Sequence, residues 1–196
     1  MFTRSRRAAQ APALIALLCI AACAPRQPAF DGTVVDRPAF DFTLTDQYHH
    51  PFRLADQLGH VVVLFFGYTH CPDVCPTTLA HLARDERVLT PAERARLRVA
   101  FITVDPERDS PATLGRYVSL FDSAFVGLTG TERQLDPVYA AYHVYHEKAA
   151  GTAATGYLVT HSGALYLISS HGTLRVIHQW NDDDASVLHD LKELLS

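Results

Sequence analysis

The feature that most constrains this chain is an unbroken apolar run, Val61-Val62-Val63-Leu64-Phe65-Phe66, followed within five residues by Cys71-Pro72-Asp73-Val74-Cys75-Pro76. A strand apolar at every position is buried on both faces, as in the middle of a parallel or mixed sheet. The chain therefore needs layers on both sides of a sheet. Proline then shapes the segment after the strand. A residue before proline avoids the helical region, which predicts extended backbone at Cys71 and Cys75, and Pro76 suits the first turn of a helix. The expectation is that a loop presents both sulfurs. Cys75 is placed at or near a helix N-cap, where unpaired N–H groups and the helix dipole favour a thiolate.

The flanking pattern fills in the rest of the domain. Phe40, Phe42 and Leu44 alternate with polar residues, and Phe52 to Leu54 follows a polar turn over Asp46 to Pro51, which predicts an antiparallel hairpin. Leu79, Leu82 and Ala83 give a helix over Pro76 to Leu89, and Arg98 to Val104 reads as a second buried strand ending at Asp105-Pro106. Ser110-Pro111 is an N-cap followed by proline, opening a helix with Leu114, Tyr117, Val118 and Phe121 on one side. A third helix carries Leu135, Val138, Tyr139 and Tyr142, with Pro137 either its first residue or a kink. Residues 148–156 are small and read as a loop. Strands at Ala164 to Ile168 and Thr173 to Ile177 face each other across a turn, and a closing helix is striped by Val187, Leu188, Leu191, Leu194 and Leu195. This order predicts an α/β sandwich of the thioredoxin type with an N-terminal β-hairpin extension, the cysteines lying between a central strand and the first helix.

Ahead of this domain, Arg4, Arg6 and Arg7 precede an uncharged run from Ala11 to Ala22, an arrangement expected of a signal peptide over residues 1–22. The run is shorter than the roughly 20 apolar residues a membrane-crossing helix needs. Ile20-Ala21-Ala22-Cys23 resembles a bacterial lipoprotein box, which predicts cleavage before Cys23 and its acylation. Residues 23–39, with Pro25, Pro28 and Pro38, are then a tether to a domain over 40–196. The localisation expected is the periplasmic side of a bacterial envelope, lipid-anchored. Beyond residue 22 the chain has 14 basic and 21 acidic residues, net -7, which argues against nucleic acid and tolerates cationic partners and metal ions.

Export leaves Cys71 and Cys75 as the thiols of the folded domain, too close in sequence to staple it and better suited to chemistry. Three intervening residues make a wider bite than the two usual in dithiol oxidoreductases of this fold, and a wider loop suits an ion. Soft thiolates select Cu(I), and an added imidazole accommodates Cu(II); zinc, wanting four ligands, stays open. Most of the eleven histidines are ordinary. His49 and His50 lie in a turn, His60 before a strand, His81 and His189 on helices, and His143 and His146 beside the small-residue loop; His70 adjoins Cys71 but is awkward for the same ion. His161, just before the strand from Ala164, stands where thioredoxins carry a cis-proline facing the dithiol loop.

Three blocks, Phe65-Phe-Gly-Tyr-Thr-His-Cys71-Pro-Asp-Val-Cys75-Pro-Thr-Thr-Leu79, Val104-Asp-Pro-Glu-Arg-Asp-Ser-Pro111 and His161-Ser162, resemble the signatures of the Sco/SenC copper chaperones. The resemblance runs from about Phe40 to the C-terminus. It implies a membrane-tethered, copper-binding metallochaperone that helps assemble the binuclear copper centre of cytochrome c oxidase subunit II, with other periplasmic copper carriers as further partners. It also implies Cys71, Cys75 and His161 as copper ligands, a reversible Cys71–Cys75 disulfide, and Asp105 and Asp109 as groups that support the ligands or dock a partner. Family members usually carry a transmembrane helix; here a lipidated Cys23 replaces it, followed by Ala24 and not by aspartate. The alternative is a thiol:disulfide oxidoreductase that keeps the oxidase cysteines reduced through the same Cys71/Cys75 pair. A thiol peroxidase fits less well, because it gives His161 no task.

Overall fold

The computed structural model describes residues 29–152 and 155–196. The signal peptide, Cys23 and the first part of the tether, through residue 28, lie outside the described residues. β4 (Val61–Gly67) is buried at every position and pairs in parallel with β5 (Leu97–Thr103) and antiparallel with β9 (Leu165–Ile168). Having strands on both edges and layers on both faces explains its lack of polar residues. β5 pairs in parallel with β6 (Val126–Thr129), which takes the hairpin of β2 (Thr43–Asp46) and β3 (Pro51–Arg53) on its far edge. On the other side β9 pairs with β10 (Thr173–His178), and β10 with β1 (Thr33–Pro38). The eight strands run β1-β10-β9-β4-β5-β6-β2-β3.

Alternate β4 side chains divide the core. Val61, Val63 and Phe65 face α1 (Val74–Val88), α3 (Pro111–Val118) and α5 (Asp184–Leu195), meeting Leu79, Leu114 and Leu191. Val62, Leu64 and Phe66 face α4 (Glu132–Tyr142), meeting Val138, Tyr139 and Tyr142. A short α2 (Pro91–Ala95) turns the chain into β5. The expected two-sided α/β architecture, hairpin included, is present.

Several local expectations need correction. The domain begins before Phe40: residues 33–38 form β1, so the tether expected through residue 39 loses its last part to the sheet. What pins that strand is Asp190 on α5. Its buried carboxylate accepts from the Asp31 and Gly32 N–H groups at 2.9 and 3.0 Å and lies 2.9 Å from His178 Nε2. β6 escapes sequence reading because it is four residues long and carries Gly127, where a Cβ would lie 2.8 Å from Leu114 Cβ; the close seat of α3 requires glycine there. α4 starts at Glu132, where Thr131 donates its N–H to Gln134 Oε1 at 3.0 Å, so Pro137 is not its first residue but lies inside it, the position the other alternative gave it. The small-residue stretch begins in β7 (His146–Ala149), which pairs antiparallel with β8 (Leu158–His161) in a separate two-stranded sheet. His161 thus ends a strand of its own. Ser110 caps α3 as expected, accepting from the Thr113 N–H at 3.2 Å.

Candidate metal centre

The dithiol loop leaves β4 at Gly67 and enters α1 at Val74. Cys75 is the second residue of that helix and Pro76 the third, so the extended conformation expected of a residue before proline gives way at Cys75. Helical backbone there is disfavoured, not forbidden, and the first turn of a helix asks no donor of Pro76. Cys71 is on the loop and partly exposed; Cys75 is on the helix and fully buried. Gly67 makes this burial possible. A Cβ on it would lie 2.6 Å from Cys75 Sγ and 2.7 Å from the Phe101 ring, so any larger residue would displace the sulfur.

The β7–β8 hairpin carries His161 over this loop. His161 Nε2 lies 3.4 Å from Cys75 Sγ, and one donor atom from each of Cys71, Cys75 and His161 falls within 4.8 Å of the other two. The other ring nitrogen is engaged: Nδ1–H donates to the Ser162 carbonyl at 3.0 Å. That bond orients the ring with Nε2 aimed at the sulfurs, the nitrogen a metal ligand would offer. Tyr68, buried in the same loop, meets the imidazole edge-on with centroids 5.7 Å apart. Soft sulfur and nitrogen donors at this spacing, with no carboxylate among them, suit a thiophilic ion such as Cu(I) or Zn(II).

The two thiols differ sharply. Cys71 is held far below an ordinary thiol, at about 4, chiefly by the hydrogen bond from Cys75, with His161 and the Asp73 and Cys75 N–H groups assisting against burial. Burial pushes Cys75 far up, and the neighbouring Cys71 sulfur adds to it. The single thiolate therefore belongs to Cys71, not to the helix-terminal Cys75 expected to carry it. Helix position favours charge, but complete burial with no cation beside it costs more. Metal-free reduced protein should be alkylated by iodoacetamide at Cys71 even at about pH 6, whereas unfolded protein loses reactivity as pH falls below its ordinary thiol range. A folded value below the unfolded one keeps the thiolate populated down to that lower pH. Peptide mass mapping that finds Cys75 labelled first would reverse the assignment.

Asp105 and Asp109 are at most 1% exposed, which leaves neither a surface to dock a partner, correcting that part of the expectation. Asp109 accepts from the Thr69 N–H and hydroxyl at 3.1 and 2.6 Å and from the Thr103 hydroxyl at 2.7 Å, tying the dithiol loop to the end of β5. Asp105 is ion-paired to Arg108 Nε and accepts from the Tyr157 hydroxyl at 2.7 Å. Arg108 in turn donates to the Tyr157 carbonyl at 2.9 Å and lies 3.6 Å over the Tyr157 ring. One carboxylate thus braces the cysteines, and the other the approach to His161. Sequence reading does not single out Gly67, Tyr68, Arg108 or Tyr157; the first three sit inside the signature blocks, and Tyr157 carries no signal. The other histidines stay away. His70 is exposed with Nδ1 3.1 Å from the Thr69 hydroxyl, and His146, although cross-strand from His161, packs on Tyr139 at 4.4 Å. A second group, Asp31, His189 and Asp190, is accounted for by the anchoring of β1.

The SCO1/SenC family model matches residues 33–196. A bovine protein described as SCO2 homolog, mitochondrial, is 43% identical over 116 residues, 58% of this chain and 43% of the bovine one, so the chain spans less than half of that relative's length. Apo Sco1 from Thermus thermophilus superposes with a TM-score of 0.74 at 34% identity, covering 84% of this chain and 96% of that one. ScoI from Bradyrhizobium japonicum, solved with copper bound, gives 0.71 at 34% identity over 80% of this chain and 99% of its own. Both share the thioredoxin-like sheet. With the family model running from the first residue of β1 through α5, and two solved Sco proteins matching the same sheet and helices, this chain belongs to the SCO1/SenC family.

Proposed function

We propose that this protein is a copper carrier of the cell envelope that binds its cargo through Cys71, Cys75 and His161 and passes it to the binuclear copper centre of cytochrome c oxidase subunit II. The observation that carries the reading is the convergence of two sulfurs and one imidazole, oriented by its bond to the Ser162 carbonyl, from segments 86 residues apart. The copper-bound relative supports copper as the ion. Cargo must also leave. The buried Cys75 holds the ion from within, while the partly exposed Cys71 thiolate is the sulfur an acceptor thiol reaches first. Such an unequal ligand set allows stepwise transfer, one donor replaced at a time. Full-length reduced protein should take up one copper per chain, and the Cys71→Ser/Cys75→Ser double variant none by elemental analysis; retention by the double variant removes the site.

A second reading has its own observation. A depressed, accessible Cys71 thiolate beside a buried Cys75 thiol is the asymmetry of a dithiol reductase, in which the first sulfur attacks a disulfide and the second resolves it. Reduction of the acceptor's thiols and delivery of copper are compatible, since the acceptor binds metal only with its thiols reduced.

The anchor belongs to the same proposal. Acylation of Cys23, released as the N-terminus by cleavage after Ala22, holds the domain at the envelope membrane on its periplasmic side, and each buried methylene adds about 0.8 kcal/mol of membrane affinity. Among the described residues no helix is long and apolar enough to cross a membrane. Mass spectrometry of the mature protein should find a diacylglycerol-modified Cys23 as the first residue; an unmodified Cys23 or a different terminus ends the proposal.

A further inference from the structure

Beside the dithiol lies a groove of about 280 Å³ lined by Cys71, Val74, Val159, His161, Gly163 and Trp180, among others. Two large aromatic residues stand exposed along it or next to it. Trp180, the chain's one tryptophan, is 62% exposed, and its Cβ sits so close to Gly163 that a side chain there would lie 2.9 Å from it. Tyr145 is 55% exposed and is hydrogen-bonded through its main chain to Ser162, next to His161. Exposed aromatics beside a reactive centre are what a recognition surface uses, and Trp and Tyr head the residues that dominate such surfaces.

The groove also has a polar edge. The Ser162 N–H donates to the Tyr145 carbonyl at 3.0 Å, so by strand alternation the main-chain groups of Val159 and His161 point away from β7. The main-chain groups of His161 are left on the outer edge of β8, with which no other strand among the described residues pairs. An open edge of this kind accepts an extended segment by strand addition. Charge restricts the segment further. Asp73 lines the groove, Asp182 and Asp183 follow Trp180 in the chain, all three are exposed, and no lysine or arginine lines the groove.

We infer that this groove docks an extended, thiol-bearing segment of the acceptor protein in which a basic residue flanks the cysteine. The inference rests on the copper-carrier reading for one step only: a third sulfur must reach the ion on the side of Cys71, the more accessible of the two sulfurs, so the segment in the groove carries a thiol. The basic residue lies against Trp180, whose face attracts a cation, with the three carboxylates completing its surroundings. Trp180 supplies no copper donor; it acts by holding the segment in place.

The test uses full-length, metal-free, reduced protein and a fluorescein-labelled seven-residue peptide with a central cysteine between two lysines, read by fluorescence anisotropy. Wild type should bind it, and Trp180→Ala should weaken binding about tenfold or more, while Trp180→Phe keeps most of it. A peptide with glutamates replacing the lysines should bind wild type at least about tenfold more weakly. The Asp182→Asn/Asp183→Asn variant should narrow that preference, and high salt should erase it. Trp180→Ala should still load one copper per chain. Absence of peptide binding to wild type, equal binding by Trp180→Ala, or equal binding of the two peptides each overturns the groove. Failure of wild type to load copper instead overturns the carrier reading, and does so without touching the peptide result.

Discussion

Replacing His161 with alanine should abolish stable Cu(II) binding, lowering affinity about 100-fold or more, while leaving dithiol exchange at Cys71 and Cys75 within a few-fold of wild type. Two thiolates can hold Cu(I) by themselves, but Cu(II) prefers nitrogen or oxygen donors in a tetragonal set, so the imidazole matters most for the oxidised ion. The geometry sharpens the expectation. With Nδ1–H committed to the Ser162 carbonyl, Nε2 is the ring's one free donor atom, and it is 3.4 Å from Cys75 Sγ. Exchange chemistry leans less on the ring, because the hydrogen bond from Cys75 is the largest cause of the Cys71 thiolate and His161 a lesser one. The readouts are the thiolate-to-copper charge-transfer band and the rate of disulfide reduction. An unchanged band in the variant removes the Cys-Cys-His site and leaves the oxidoreductase reading in its place.

Fully oxidised protein should take up almost no copper. Oxidation joins Cys71 and Cys75 in a disulfide, with two electrons passing to the oxidant and the one remaining thiol proton, on Cys75, released, and neither sulfur is then a thiolate able to bind the ion. The two cysteines are close enough for this: the Cys75 N–H already lies 3.5 Å from Cys71 Sγ. One imidazole alone binds copper too weakly to survive gel filtration. The check is a copper titration of oxidised and reduced protein side by side, with thiols counted before each. Equal uptake would place the metal elsewhere, and His143 and His146 are the first pair to test. His143 caps the end of α4 and His146 packs on Tyr139, and neither is grouped with Cys71 and Cys75 as His161 is.

Asp105 and Asp109, as strand-end and loop acids, are open to reading as docking groups, because nothing in the local sequence tells a buried Asp from an exposed one. Thr69 and Thr103 decide the matter for Asp109, and Arg108 with Tyr157 for Asp105. Removing Asp109 would leave buried donors without a partner, each costing about 1–3 kcal/mol, at the point where the dithiol loop is held.

Features that rest on a local pattern are legible in the amino-acid order. An all-apolar β4, the proline-flanked cysteines after it, the Ser110-Pro111 start of α3 and the stripe of α5 each carry their signal within a few residues, and together they specify the two-sided sheet and put a dithiol at the end of a central strand. The candidate ligands are legible for the same reason, the cysteines by spacing and His161 by its place before a strand. Other features exist only once the chain is folded. Which cysteine is the thiolate follows from burial, which is complete for Cys75 and partial for Cys71 and is imposed by Gly67, Phe101 and the helix around them. The reach of His161 depends on the pairing of β7 with β8 in a hairpin that is then laid over the dithiol loop, 86 residues from Cys75 in the chain. β1 is a strand because Asp190, at the far end of the chain, captures its entry. Burial and long-range pairing are sums over distant segments, and no window of neighbouring residues contains them.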